Sequence, residues 1–126
     1  MNNSELKKVL ADHKLWLEGK GGERADLVEA DLSHADLSGA NLRGANLRGA
    51  NFNYANLRGA YLRYAYLRYA DLCYVDLTGA NLHGADLSHA NLTGADLVEA
   101  DLSGANLRYA SKHKADFYGA NLTGIN

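Results

Sequence analysis

A five-residue period is the feature that most constrains the fold of this chain. From residue 25 to residue 124 the sequence reads as 20 consecutive units, beginning ADLVE ADLSH ADLSG ANLRG. The central residue of each unit is Leu except at Phe52, Lys112 and Phe117, and the residue two before it is Ala except at Val75. Any backbone proposed for this region must therefore bury one small and one large apolar side chain in every five residues.

Neither a continuous helix nor a continuous strand buries this pattern. A helix turns about 100° per residue, so leucines five residues apart would scatter around its axis. In a strand the side chains alternate between faces, so an odd period would place successive leucines on opposite faces. A short extended Ala-x-Leu segment followed by a two-residue corner buries both side chains. Gly ends 10 of the 20 units and accepts the positive φ that such a corner requires.

The tandem A(D/N)LxG units resemble those of the pentapeptide-repeat family, and the resemblance covers residues 25–124. It implies an all-β solenoid, a right-handed quadrilateral β-helix with four units per coil and about five coils. The central position of the family's unit falls on Leu27 and on every fifth residue after it, and its small inner position falls on Ala25 and onward. Leu32 and Lys112 would then share a core column. Because a buried unpaired ammonium is costly, ASKHK is expected to bulge or to turn Lys112 outward.

The first 24 residues are predicted to form a capping helix and a Gly-rich linker ahead of the repeats, and residues 125–126 a short tail. Residues 4–18 carry apolar residues at helical spacing, with Asn3 or Ser4 as the N-cap. Trp16 and Leu17 are expected to cover the first coil, as solenoid ends need caps. A helix that binds a partner is the alternative. The apolar stripe consists of Leu6, Val9, Leu10, His13, Trp16 and Leu17.

Charged residues divide the repeats into bands. Residues 41–70 hold five arginines and no acidic residue, whereas residues 25–40 and 71–104 hold acidic residues and no Arg or Lys. Like charges on adjacent coils repel, so solvent, an anion or stacking on tyrosine would have to offset the repulsion. Arg with aromatic residues is typical of protein-interface hot spots and of single-stranded nucleic-acid platforms. The candidate partner surface, called here the Arg/Tyr belt, consists of Arg43, Arg48, Arg63, Arg68, Tyr61, Tyr64, Tyr66 and Tyr69.

The sequence favours an interaction protein over an enzyme, and no catalytic residue, metal site or cofactor is predicted. The five histidines do not cluster when the units are stacked, so they do not suggest a metal site. Cys73 lies at an outward position without a neighbouring His, which is typical of an inert thiol. The Asp or Asn before each Leu is expected to bond nearby backbone at the corners rather than to act in catalysis.

The expected partner is a protein with an acidic surface that binds the Arg/Tyr belt, and a solvated ladder without a partner is the alternative. Nucleic acid is disfavoured because the acidic bands would repel phosphates. The family resemblance implies a second function, a DNA-mimic type binder of a topoisomerase such as DNA gyrase, but the net charge is only −2 and the middle is basic. A homodimer through the C-terminal coil is a further expectation, because exposed strand edges pair.

The location expected from the sequence is the cytoplasm. The chain has a single cysteine, so no internal disulfide can form. No apolar run approaches the roughly 20 residues of a membrane span, and the polar N-terminus does not read as a secretory signal. No membrane association is therefore predicted.

Overall fold

The repeats form a stack of coils in which residues 20 apart lie side by side. The computed structural model describes all 126 residues, with one helix, α1, at Asn3–Leu17. Sixteen parallel β-bridge pairs join residues 20 apart, from the pair Asp26–Asn46 to the pair Asp101–Asn121. Each unit contributes one bridging residue followed by a two-residue turn, so four units complete one coil as predicted. The right-handed sense of the coil stays a prediction.

Backbone hydrogen bonds join each coil to the next. The Leu27 N–H donates to the Asn46 carbonyl at 2.8 Å, and the Asn46 N–H donates back to the Ala25 carbonyl at 3.0 Å. A further bond, from the Ala30 N–H to the Leu27 carbonyl at 3.1 Å, closes the turn within the unit. This pattern repeats along the stack. The coils therefore satisfy their own backbone groups, as buried backbone must.

Every unit ends on a residue with positive φ, whether or not that residue is Gly. The ten unit-ending glycines have φ between 66° and 72°, and the other ten residues have φ between 57° and 63°. A non-Gly residue in this conformation costs of order 1 kcal/mol. The predicted glycine corners are thus half of the corners present. The other ten corners are Glu29, His34, Tyr54, Tyr64, Tyr69, Tyr74, His89, Glu99, Tyr109 and Lys114.

The residue before each central Leu supports the turn that follows it. All 17 Asp and Asn residues at this position accept a bond at Oδ1 from the backbone N–H two residues later, at 2.9 to 3.4 Å. In three units a Ser hydroxyl donates to the same carboxylate and holds its pKa below the ordinary value. These pairs are Ser33–Asp31, Ser38–Asp36 and Ser103–Asp101. The backbone role expected for these residues is the one observed.

The interior is one continuous column of leucine and alanine that opens at its last coil. Leu47, Leu67 and Leu87 are completely buried, whereas Leu122 in the last coil is 38% exposed because no further coil covers it. Lys112 is exposed at the same end. The bulge expected at Lys112 is absent, since its neighbour Ser111 keeps the regular bonds between coils. An end position, rather than a local distortion, keeps this ammonium in water.

Helix α1 begins one residue earlier than expected, and the predicted N-caps are wrong. Asn2 is the N-cap: its side chain accepts from the Glu5 N–H at 2.8 Å, and its Nδ2 donates to the Glu5 carboxylate at 2.7 Å. A capping oxygen reaches the N–H three residues later, and Asn2 alone has Glu at that spacing. The helix is neither long nor apolar enough to cross a membrane.

Of the predicted cap residues, Leu6, Val9 and Leu10 cover the first coil and Trp16 does not. Leu6 and His13 are buried, and Val9 and Leu10 pack against the same core cluster. Trp16 was expected to cover the first coil but is 42% exposed. It lies along the outer edge of the coil, where its indole ring would be 3.9 Å from a Cβ placed on Gly44. Leu17 is half-buried.

His13 is the polar link between the helix and the first coil. Its Nδ1 accepts from the Ala25 N–H at 2.9 Å, and its Nε2 lies 2.9 Å from the Arg43 carbonyl. Only the neutral ring protonated on Nε2 makes both bonds. Burial lowers the pKa of His13, and the nearby Arg24 charge lowers it further, against the raising effect of the Arg43 carbonyl.

We expect acid to destabilise the protein through His13. Because its folded pKa lies below 6.5, the unfolded chain takes up the proton first, so stability is full above that pH and falls as pH drops through the folded pKa. Urea unfolding midpoints should therefore fall between about pH 7 and about pH 5. A His13→Gln variant should lose much of this dependence, and the exposed His113→Gln control should keep it. Equal pH dependence in all three proteins would contradict this role.

Two glycines in the same backbone conformation should differ in how much a change to Ala destabilises the protein. A Cβ on Gly94 would lie 2.5 Å from the Tyr74 ring, whereas a Cβ on Gly79 would meet nothing within 4 Å. Both Gly→Ala changes should cost about 1 kcal/mol for positive φ. Gly94→Ala should cost about 1 kcal/mol more, because Tyr74 would have to leave its stack with Tyr54. Urea unfolding measures both, and equal losses would show that the ring packing contributes nothing.

Candidate interaction surface

The first arginine pair of the Arg/Tyr belt lies beside one tyrosine ring. Arg43 and Arg63 lie in adjacent coils of one wall, and their Cζ atoms are 5.9 and 5.6 Å from the centre of the Tyr64 ring. A guanidinium near an aromatic face is attracted to it. Of the three ways to offset the repulsion between these charges, stacking on tyrosine is the one that the structure shows.

The next wall around the coil repeats this arrangement. The Cζ atoms of Arg48 and Arg68 lie 5.8 and 5.3 Å from the centre of the Tyr69 ring. Tyr69 also stacks on His89 of the following coil, with ring centres 4.7 Å apart. The belt therefore occupies two adjacent walls, and in each wall both arginines lie near one tyrosine ring.

None of the four belt arginines forms an ion pair. The two ion pairs of the protein are Lys20–Glu18 at 3.4 Å and Arg58–Asp76 at 3.9 Å. Within the belt, the Nε atom of Arg63 is enclosed and has no hydrogen-bond partner. Since a guanidinium carries five N–H donors, the belt holds many donors that can bind an acceptor on another molecule.

The belt contains two consecutive units that depart from the repeat in the same way. Residues 60–64 and 65–69 both read AYLRY. Tyr61 and Tyr66 stand where 17 other units place an Asp or Asn that bonds the turn, and they are 54% and 50% exposed. Tyr64 and Tyr69 hold φ of 58° and 63°, where ten units place Gly. At these four positions the turn lacks either its side-chain acceptor or its glycine, and such departures are expected at functional sites.

One arginine outside the predicted belt joins it in space. The Arg24 Cζ atom lies 5.4 Å from the centre of the Tyr66 ring, and its Nη1 is 3.5 Å from the Gly44 carbonyl. Arg24 precedes the first unit, so it occupies the position that Gly44 and Tyr64 occupy in the next two coils. Counting the five-residue period back by one residue would have placed it there. It lines a surface depression of about 300 Å³ together with Asn46, Arg48, Tyr66, Arg68 and Asp86.

Two other groups could carry chemistry, and neither is arranged to react. His83 Nδ1 lies 2.7 Å from Ser103 Oγ, and Ser103 Oγ donates to Asp101 at 2.6 Å. Because the Ser proton points to Asp101, the imidazole acts as the donor and cannot activate the hydroxyl, unlike the His of a catalytic triad. Burial, with Asp71 beside it, raises the pKa of the Cys73 thiol to about 11, so the thiol stays protonated and weakly nucleophilic.

Replacing Tyr61 or Tyr66 by Asn, a residue that other units carry at this position, should stabilise the fold. Tyr61→Asn and Tyr66→Asn each supply the missing Oδ1 acceptor, so each should raise the unfolding free energy by about 0.5–1 kcal/mol in urea titrations. Ser111→Asn, which supplies the same acceptor outside the belt, is the matched control for the gain. A loss of stability in both tyrosine variants would mean that these rings serve the fold itself.

Comparison with known proteins identifies the repeats. The family model for pentapeptide repeats matches in eight copies, over residues 25–63, 55–94 and 85–124. No curated protein gives a significant match.

Several solved structures are similar to this chain. The pentapeptide repeat protein Rfr23 from the cyanobacterium Cyanothece 51142 is 30% identical with a TM-score of 0.64, over 83% of this chain and 65% of that one. QnrB1, a plasmid-mediated fluoroquinolone resistance protein, is 26% identical with a TM-score of 0.53, over 79% and 61%. The pentapeptide repeat protein alr5209 from Nostoc PCC 7120 is 32% identical with a TM-score of 0.44, over 94% and 96%. This chain thus spans less than two thirds of Rfr23 and of QnrB1. With its repeats matched from residue 25 to residue 124, the chain belongs to the pentapeptide-repeat family.

Proposed function

We propose that this protein is a non-enzymatic scaffold that presents the Arg/Tyr belt to an acidic surface on a protein partner. The observation that carries the proposal is the pair of AYLRY units. They replace turn-forming residues by four exposed tyrosines beside arginines that have no acidic partner. Tyr and Arg are the residue types that dominate the energetics of protein interfaces.

The coil orders the tyrosine side chains of the belt before a partner binds. Tyr64 and Tyr69 each lie between side chains of neighbouring coils, and the backbone beneath them is bonded to the coil on either side. Side chains that are already ordered lose less entropy when they bind. A partner would therefore meet a surface that needs little rearrangement.

The charge pattern favours a protein partner over nucleic acid. The wall that carries Arg48 and Arg68 has Asp26 and Glu29 in the first coil and Asp86 in the fourth. A phosphate backbone that ran along this wall would meet carboxylates on both sides of the belt. A protein with a compact acidic patch could contact the belt without meeting these carboxylates.

The similarity to QnrB1 supports a second candidate function, a DNA-mimic type binder of a topoisomerase such as DNA gyrase. Such a mimic needs a broadly negative surface, because it replaces the phosphates of the duplex. Residues 41–70, which contain the belt, interrupt the acidic bands with five arginines. We therefore place this function second.

We extend the proposal to a homodimer formed through the C-terminal coil. Leu122 and Ile125 are 38% and 37% exposed there, and Phe117 is half-buried. Pairing two such ends would bury these side chains and the open edge of the last coil.

Reversing the belt charges should abolish partner binding without unfolding the protein. The triple variant Arg48→Glu, Arg63→Glu and Arg68→Glu should weaken the affinity for the purified partner by at least about 100-fold, because attraction becomes repulsion. The partner would first be identified by quantitative crosslinking of the wild-type protein in cell extract, and calorimetry would then measure the affinity.

The matched control reverses three charges outside the belt. Arg58→Glu, Arg108→Glu and Lys114→Glu change the net charge equally, so binding should survive in this variant. Circular dichroism and urea unfolding would check that both variants fold. If both variants bound as the wild type does, the belt would be a solvated ladder, and the proposed function would be wrong.

A further inference from the structure

We propose that the depression beside Tyr66 is a binding site for a phosphate monoester, carried on a phosphorylated side chain of the protein partner. This inference rests on the proposed function and adds Arg24 to the surface that performs it. Three guanidinium groups, from Arg24, Arg48 and Arg68, line one depression of about 300 Å³.

The depression has an excess of positive charge, and none of its arginines forms an ion pair. Three arginines and a single carboxylate, Asp86, line it, so two positive charges remain. Asp86 forms no ion pair with them, and its Oδ1 accepts instead from the Ser88 N–H at 3.0 Å. Arg24 makes only one long bond, at 3.5 Å to a carbonyl. A dianion matches this charge.

The number of donors favours a phosphate monoester over a carboxylate. One guanidinium satisfies both oxygens of a carboxylate, so a carboxylate would leave two of the three arginines without an acceptor. A phosphorylated side chain carries about −1.5 to −2 charges and three acceptor oxygens. Arg24 reaches the depression from the linker, and Arg48 and Arg68 reach it from the second and third coils.

The surroundings favour a single phosphate on a peptide over a chain of phosphates. Asp26 and Glu29 lie on the same wall in the first coil, and Asp86 lies in the fourth. Only one phosphate fits between these carboxylates without repulsion. Exposed apolar surface adjoins the site, since Tyr66 is 50% and Val28 is 41% exposed. The residues that flank a phosphorylated side chain could pack there.

The test measures binding of a fluorescein-labelled Gly/Ser peptide that contains one phosphoserine, by fluorescence polarisation. The wild-type protein should bind this peptide at least about tenfold more tightly than the same peptide with Ser or Glu at that position. Arg24→Gln should weaken binding at least about tenfold. Arg58→Gln, which removes an arginine from another wall, should leave binding unchanged. Because Arg24 precedes the repeats, its loss leaves the core intact, and urea unfolding would verify this.

Three outcomes would overturn the inference. Equal affinity for the Glu and phosphoserine peptides would show that charge alone is recognised. Tighter binding of a single-stranded oligothymidine of similar length would show a nucleic-acid site. Inorganic phosphate that competed as strongly as the phosphopeptide would show that the site takes a free anion and not a partner segment.

The experiments distinguish an error in the inferred phosphate site from an error in the proposed function. A partner that binds after phosphatase treatment, and that binds Arg24→Gln as well as it binds the wild type, would exclude phosphate recognition. If the belt triple variant still lost that partner, the belt would remain an interface. Loss of phosphopeptide binding in Arg24→Gln, together with loss of partner binding after phosphatase treatment, would support the site.

Discussion

Hydrogen bonding between residues 20 apart is the constraint on which the rest of this molecule depends. Within the stack, the N–H and carbonyl of each bridging residue bond the coil before it, and the residues on either side of it bond the coil after it. Four corners must therefore fit into 20 residues without disturbing the register. That requirement explains why the last residue of every unit has positive φ, whatever its side chain. It also explains the bond from Asp or Asn to the turn, which recurs in 17 units. Inward positions are then fixed by packing, and only outward positions remain free to differ.

The two ends of the stack show how the core is separated from water. At the first coil, His13 satisfies the Ala25 N–H while Leu6 covers the leucines, so a buried polar ring serves as part of a lid. At the last coil no such lid is present among the described residues, and Leu122 is partly exposed. Because protonation of the buried His13 ring removes the acceptor for the Ala25 N–H, the covered end is the pH-sensitive one.

The period predicted the buried Ala and Leu positions and the role of the Asp and Asn side chains, because both follow from local geometry that repeats. The coil of four units was implied by the resemblance to the pentapeptide-repeat family. The errors lie where the repeat stops. Trp16 fits an apolar helical stripe, but the stripe does not reveal which of its members face the coil. Burial of the Lys112 ammonium was expected to be costly only because a further coil was assumed to cover its core column. Arg24 was missed since it stands outside the units, and the contact of Arg43 and Arg63 with the Tyr64 ring could not be assigned from spacing alone.

The regular stacking also sets what a functional surface can look like here. Adjacent coils hold equivalent side chains at the strand spacing of about 4.8 Å, so two arginines in one column repel unless something shields them. The Tyr64 and Tyr69 rings lie 5.3 to 5.9 Å from the Cζ atoms of these arginines and attract them, in a backbone conformation that glycine would adopt with less strain. A solvated ladder would not need this arrangement, because water alone screens exposed charges at physiological ionic strength. The belt arginines contact aromatic rings and have no acidic partner in the chain. This concentration of positive charge is better explained as a surface that binds an anionic ligand.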